Sequence, residues 1–313
     1  MSRRRKGAPV HGWVAVDKPL GLGSTPAVSR VKRLFDAQKA GHAGTLDPLA
    51  TGLLPVALGE ATKTVPFLMD ADKAYRFTIA WGESTTTLDR EGEVTGRSDV
   101  RPAVEAVAAA LPAFVGGIDQ VPPAFSAVRV NGERSYDLAR AGKATEHKAR
   151  RVTIHSARVS AAPDPDHVEI EIGCGKGTYV RSLARDLATA LGAEGHVSAL
   201  RRTRVGVFDE ARALTLAEVE DLVYEGRGLE ALLPVSTALD GIPAHAVSDE
   251  DAFRLRQGRD VVLLPRQVEA LRDQLVEGAR TVSAMSRDQV VAICEMRAGR
   301  LNPVRVLHPD AGD

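Results

Sequence analysis

Cysteine is almost absent from the 313 residues, with only Cys174 and Cys294 present. Two thiols exclude a disulfide framework and a cysteine-rich zinc site. The eight histidines show no ligand-like spacing, so no metal is expected. Aromatic residues make up only 4%, which makes any tyrosine beside a polar motif worth attention. No apolar run approaches the roughly 20 residues needed to cross a bilayer. The basic start Met-Ser-Arg-Arg-Arg-Lys leads into no apolar segment, so no secretory leader is expected and the protein is expected to be cytoplasmic, without a membrane partner. Internal repeats and low-complexity tracts are missing too. So is an excess of charge of one sign: 41 Lys and Arg balance 41 Asp and Glu. The balance is not even along the chain, however. Residues 1–43 carry nine basic and two acidic side chains, and residues 213–251 carry nine acidic and one basic. A basic face on a neutral protein can still bind phosphates, because local potential counts for more than the total; a solvated asymmetry is the other reading.

The length allows one large domain and a smaller one. A first strand is expected over residues 12–17, ended by Lys18-Pro19. Ser24 or Thr25 should cap a helix with Pro26 in its first turn. Val28, Val31, Leu34 and Phe35 form its apolar stripe, with Arg30, Lys32 and Arg33 off it. Residues 41–66 are punctuated by glycine and proline yet strongly apolar from Leu49 to Leu58, and read as a packed loop over a core. Tyr75, Phe77 and Ile79 alternate as a strand face. Asn131-Gly132 signals a hairpin turn, followed by a short helix over 133–141 and the basic run Lys143, Lys148, Arg150 and Arg151. Residues 168–174 alternate as a strand that buries Cys174. Gly175-Lys176-Gly177-Thr178 then opens a helix whose apolar face is Val180, Leu183, Ala184, Leu187 and Leu191, and which Gly192 ends. Strand-like pieces at 289–296 and 301–307 point to a small β-rich C-terminal unit.

One cluster stands out for chemistry: Gly41-His42-Ala43-Gly44-Thr45-Leu46-Asp47-Pro48. Proline pushes the backbone of Asp47 towards an extended conformation, and glycine lets the chain approach a ligand closely. A carboxylate held in an apolar loop is costly unless it pairs or reacts. Taken alone, Asp-Pro is also a common turn signal. His42 fits a base or a ligand, although a lone histidine is more often structural. Tyr75 and Tyr179 fit stacking on a nucleobase, or ordinary half-buried packing. Arg181 fits a two-pronged contact with a buried carboxylate, or the surface of an amphipathic helix. The 175–178 turn lacks the Walker spacing of a phosphate loop.

The combination is more specific than its parts. Val16-Asp17-Lys18-Pro19 followed by 41–52, then Gln120-Val121-Pro122-Pro123-Ala124-Phe125-Ser126-Ala127, Lys176-Gly177-Thr178-Tyr179-Val180-Arg181-Ser182-Leu183 and Gly195-His196-Val197-Ser198-Ala199-Leu200-Arg201-Arg202, resemble in order the motifs of TruB-type pseudouridine synthases. The resemblance covers roughly residues 12–205, and the C-terminal third matches weakly. Gly23 stands where the family usually has Thr or Ser, and Arg151 where a proline is common.

The resemblance implies an α+β fold. A pseudouridine-synthase catalytic domain, residues 12–240, would be built around a mixed, largely antiparallel sheet. It would carry an RNA-binding insertion at about 121–152, a basic N-terminal arm at 1–11 and a small PUA-like unit at 241–313. It implies isomerisation of uridine 55 in the TΨC arm of tRNA. Asp47 would be the catalytic carboxylate, Arg181 its partner and Tyr75 the residue that stacks on the uracil, with Tyr75 also a candidate base. His42, Tyr179 and Leu200 would contact substrate. Arg30, Lys32, Arg33, Lys143, Lys148, Arg150 and Arg151 are candidate contacts to the RNA backbone. The reaction is redox-neutral and supplies no group from outside, so no cofactor is expected, and tRNA is the expected partner of a monomer. A non-catalytic tRNA-binding or tRNA-folding protein on the same fold would be expected to lose Asp47 or Arg181, and both are present. A guide-RNA-dependent synthase is disfavoured by the full insertion and by the lack of a long Lys-rich tail.

Overall fold

Unbroken apolar sequence from Trp13 to Val16 makes β1 (Gly12–Lys18) a strand buried on both faces. It pairs antiparallel with a second such run, β3 (Ala50–Leu58), and β2 (Ala40–His42) joins β3 alongside. The structure is a computed structural model and describes residues 7–126, 129–130, 133–134 and 147–308. Five more long strands complete the main sheet: β4 (Lys73–Trp81), β5 (Gly116–Gln120), β6 (Arg150–Asp164), β7 (His167–Cys174) and β8 (Gly195–Val205). Counting the short strands Phe208–Asp209 and Leu214–Thr215, the sheet has ten strands. From Leu214–Thr215 across, the order is β1, β3, β8, β4, β7, β6, β5. The β3–β8 pair and the Leu214–Thr215 pair with β1 are parallel, and the other pairs in that row are antiparallel. The fold is therefore α+β on a mixed, largely antiparallel sheet.

The helices cover this sheet in two groups. Helices α1 (Ser24–Leu34) and α5 (Leu216–Tyr224) close a core of Val14, Val16, Ala27, Val31, Leu54, Val56 and Val219. Helices α3 (Val104–Ala110) and α4 (Val180–Ala190) close a second around Phe77, Ile79, Ile154, Ile170, Leu183 and Leu187. The short α2 (Val65–Asp70) leads into β4. A separate five-stranded sheet follows, Ala244–Ala246, Thr281–Ser286, Gln289–Arg297, Arg300–Val306 and Val261–Val262 in that order, with helices α6 (Asp249–Arg256) and α7 (Pro265–Gln274). Leu239, Val290, Ile293 and Leu307 seal the two sheets together, and Lys63 Nζ donates to the Val306 carbonyl at 2.8 Å.

Three sequence expectations need correction. Residues 50–58 are not loop but the strand β3. It is covered on both faces, so no polar alternation marks it, and Gly52 and Pro55 disguise it further. Pro55 is tolerated because its carbonyl accepts from Ala43 N–H. Carbonyl and nitrogen of one strand residue face the same edge, so the missing N–H falls on that side and takes nothing from the ladder with β1. The cap of α1 is Gly23, with no side-chain bond. Ser24 instead sends its hydroxyl to the Leu46 carbonyl at 2.9 Å and accepts from Leu46 N–H at 2.8 Å. Residues 133–134, expected to begin a helix, form a strand paired antiparallel with Arg129–Val130. The remaining residues of that expected helix, 135–141, lie outside the described residues. The basic helix α1 packs beside the acidic helix α5, where Arg30 pairs with Glu220.

Candidate active site

Between β2 and β3 the chain crosses the sheet in a short loop, residues 43–49. Gly44 turns it with φ +94°, and a Cβ there would lie 3.2 Å from Arg202 Nη1. The two bonds from Ser24 fix Leu46, and Asp47 follows. A cleft of about 260 Å³ opens beside it, and Asp47, Tyr75, Tyr179, Arg181, Leu200 and Arg202 line its wall. Five of the six residues assigned by resemblance to catalysis or substrate contact thus meet in one place. They come from the 43–49 loop, β4, the start of α4 and β8. The sixth, His42, stands in β2 outside the cleft lining, its Nδ1 buried without a hydrogen-bond partner. Burial first, and the Arg202 cation second, lower its pKa below the ordinary histidine value.

Asp47 is less buried than expected, with its side chain 42% exposed, and its support is one-sided. Arg181 Nη2 meets Asp47 Oδ2 at 2.7 Å. The other prong, Nη1, lies 3.3 Å from Oδ2 of a second carboxylate, Asp89, which is buried like Arg181 itself. The expected two-pronged contact with Asp47 is therefore one prong to each of two acids. Nη1 and Nη2 also donate to the carbonyls of Thr87 at 2.8 Å and Phe125 at 2.9 Å. So held, the guanidinium cannot rotate away from the cleft, and it presents a fixed cation to Asp47.

Other parts of the frame are polar side chains that bond to main chain. Gln120, buried at the end of β5, donates to the Tyr179 carbonyl at 3.0 Å and accepts from Tyr179 N–H at 2.7 Å. This pairing docks the start of α4 against the root of the 121–152 segment. Lys18 is fully buried, and its Nζ reaches the carbonyls of Leu22 at 2.6 Å, Pro19 at 3.0 Å and Pro48 at 3.4 Å. Burial pushes its pKa down to about 8, partly offset by Asp47. Arg202 donates from Nε to the Leu53 carbonyl at 2.8 Å and from Nη2 to the Gly44 carbonyl at 3.0 Å. Burial raises the pKa of Tyr75 above the ordinary value, and the Arg202 cation works against that rise. Tyr179 is raised likewise, chiefly by burial.

A sequence model described as TruB family pseudouridylate synthase (N terminal domain) matches residues 32–180, and one described as tRNA pseudouridylate synthase B C-terminal domain matches 181–240. The chain belongs to the TruB family of pseudouridylate synthases. It is 68% identical over 306 residues to the tRNA pseudouridine synthase B of Caulobacter vibrioides, covering 98% of this chain and 99% of that protein. To the same enzyme of Rhodospirillum rubrum it is 48% identical, covering 98% and 100%. Among solved structures, a Cbf5–Nop10–Gar1 complex matches with TM-score 0.73 at 26% identity, over 96% of this chain and 86% of that one. An archaeal box H/ACA Nop10–Cbf5 complex shares the fold, with TM-score 0.71 at 23% identity over 99% and 94%. This TruB-family chain is thus a pseudouridine synthase that modifies tRNA.

The motifs of the family were legible in the sequence, but the supports of the site were not. Asp89 follows no motif, and its link to Arg181 spans 92 positions, from 89 to 181. Lys18 and Arg202 lie inside recognised blocks but had no assigned role. The candidate phosphate contacts are scattered. Lys32 and Arg33 are exposed on α1, while Arg30 is engaged by Glu220. Lys148, Arg150 and Arg151 are exposed, with Arg151 Nη1 3.3 Å from Asp119, and Lys143 lies outside the described residues. Among the described residues, no group of three or more His, Cys, Asp or Glu could hold a metal, and no helix is long and apolar enough to cross a membrane.

Proposed function

We propose that this cleft isomerises uridine 55 in the TΨC arm of tRNA, with Asp47 acting at the sugar. The observation that carries the reading is a half-exposed carboxylate held by a buried, doubly anchored guanidinium in a cleft that also holds Tyr75. Pseudouridylation breaks the N1–C1′ bond, turns the uracil and rejoins it through C5. Cleavage builds positive charge on the sugar, which a carboxylate stabilises or captures, as in glycoside hydrolysis. Arg181 holds the Asp47 carboxylate in place with a fixed cation. Tyr75 covers one face of the base, and Leu200, beside Ala50 across the parallel β3–β8 pair, helps to exclude water. Tyr179 and His42 complete the substrate contacts, His42 through the root of the 43–49 loop.

The target uridine lies inside a folded arm and has to be flipped out, at roughly a few kcal/mol. The 121–152 segment and exposed cations such as Lys32, Arg33, Lys148 and Arg150 serve the phosphates. In this reading residues 12–240 are the catalytic domain, 1–11 a basic arm and 241–313 a PUA-like unit. The protein acts in the cytoplasm as a monomer, without protein partners of the kind found in the Cbf5 complexes. Purified protein incubated with unmodified tRNA tests the reading directly. Pseudouridine at position 55 alone is expected; modification at another position, or at none, contradicts it.

A further inference from the structure

Arg202 is a buried cation for which the chemistry at the sugar has no use. It is 1% exposed, lies cross-strand from both Gly52 and Tyr75, and lines the cleft. Guanidinium groups at such depth normally have a carboxylate beside them. Arg202 has none within ion-pair distance among the described residues. Asp47, the acid on the cleft wall, and the buried Asp89 behind it both pair with Arg181 instead. Arg202 rests on carbonyls: Leu53 at 2.8 Å, Gly44 at 3.0 Å, and Thr45 only at 3.5 Å from Nη1. Its Nη1 therefore keeps donor capacity. Lys73, also on the cleft wall and buried, is held in the same way, by the carbonyls of Leu68, Met69 and Ala71. On the Arg202 side of the cleft, then, neither cation has a carboxylate within ion-pair distance among the described residues.

The chemistry of this enzyme class creates an anion that lacks a partner on the protein. When the N1–C1′ bond breaks, its electron pair stays on N1. The uracil then carries one negative charge spread over its ring and its O2 and O4 oxygens, while the sugar is left electron-poor. Rejoining at C5 consumes that charge, the C5 proton leaves and N1 ends protonated, so the composition is unchanged. We propose that Arg202 is the fixed counter-charge for the detached uracil anion, stabilising the leaving group at the same moment as Asp47 stabilises the sugar. The inference rests on uridine occupying the Asp47 cleft. It holds whether Asp47 attacks C1′ or removes a proton from C2′, because both routes expel the same anion. A preorganised cation in a water-poor cleft acts on such charge without reorganising.

Leaving-group dependence tests this role. Fluorine at C5 makes the uracil anion intrinsically more stable and so less dependent on help. Single-turnover cleavage of the N1–C1′ bond is measured on a TΨC stem-loop carrying uridine or 5-fluorouridine at position 55, at saturating enzyme. Arg202→Met is expected to slow the uridine substrate about 100-fold, the scale of removing one oxyanion donor. Its fluorouridine-to-uridine rate ratio should rise about tenfold above that of the unaltered protein. Arg202→Lys, which keeps the charge, should hold the ratio within about twofold even where the rate falls. Arg202→Gln retains a donor for the Gly44 carbonyl and carries the same comparison if the methionine variant does not fold. Equal slowing of both substrates in the uncharged variants overturns the proposal and leaves Arg202 a brace of the 43–49 loop. Undiminished rates on both substrates overturn it as well, whereas loss of activity in Asp47→Asn with these rates intact would show that the cleft is still the site of reaction.

Discussion

Arg181 divides its two prongs between Asp47 and Asp89, and this arrangement sets what each residue should do when altered. Asp89 is buried, and its Oδ1 also accepts from Thr87 Oγ1 and from Glu91 N–H, so its position is determined by its own turn. It has no route to the substrate except through Arg181. Asp89→Asn removes the charge that fixes Nη1 while leaving Asp47 in place. A drop of about 10–100-fold in single-turnover rate is expected, the usual scale for a residue that orients a reacting group, with tRNA affinity nearly unchanged. Filter binding and rapid-quench kinetics on the same preparation check both numbers. A wild-type rate would mean that the carbonyls of Thr87 and Phe125 suffice to hold the guanidinium. None of this was readable from the sequence. Asp47 and Arg181 stood in recognisable motifs, but burial of an acid in an unmarked turn is a property of the folded chain.

At the scale of elements, sequence reading succeeded where a segment alternates, repeats or, as from Trp13 to Val16 in β1, runs apolar without glycine or proline, and failed where those two residues interrupt a fully covered strand. The strand with Tyr75, Phe77 and Ile79, the strand ending at Cys174 and the helix bearing Arg181 all alternate or repeat, and all three formed. β3 has neither pattern, because neighbouring strands and helices cover it completely. Its glycine, read as a sign of loop, has a packing reason. Gly52 has φ +93°, and a Cβ there would lie 2.3 Å from the Arg202 carbonyl. Gly52→Ala should therefore destabilise the fold by at least about 1–3 kcal/mol from backbone strain alone, measured as a lower urea midpoint. Because the displaced atoms belong to Arg202 and its neighbours, activity should fall as well. An unchanged midpoint would mean that the β3–β8 pair shifts freely, contrary to its close packing. The helix expected over 133–141 does not begin at 133, because Glu133–Arg134 pair with Arg129–Val130 across the turn; its remaining residues lie outside the described residues.

For the whole molecule, the uneven charge of the sequence does not by itself mark a face for RNA. The basic helix α1 and the acidic helix α5 are neighbours, joined by Arg30 and Glu220. The exposed cations near the root of the 121–152 segment are the better candidates. Lys148→Ala and Arg150→Ala together should lower the log–log salt slope of tRNA binding by about 0.7–0.9 for each phosphate that the protein no longer neutralises. The rate at saturating enzyme should stay as it was, since neither residue lines the cleft. An unchanged slope would mean that both simply face solvent. Phosphate binding and the catalytic centre thus have separate signatures, one in affinity and one in rate. The most direct test of the whole account uses that separation on Asp47. With Asp47→Asn at saturating concentration on unmodified tRNA, pseudouridine at position 55 should be undetectable while tRNA affinity stays within a few-fold of the unaltered protein. Pseudouridine formed by the pure variant at more than a trace of the normal rate would contradict it.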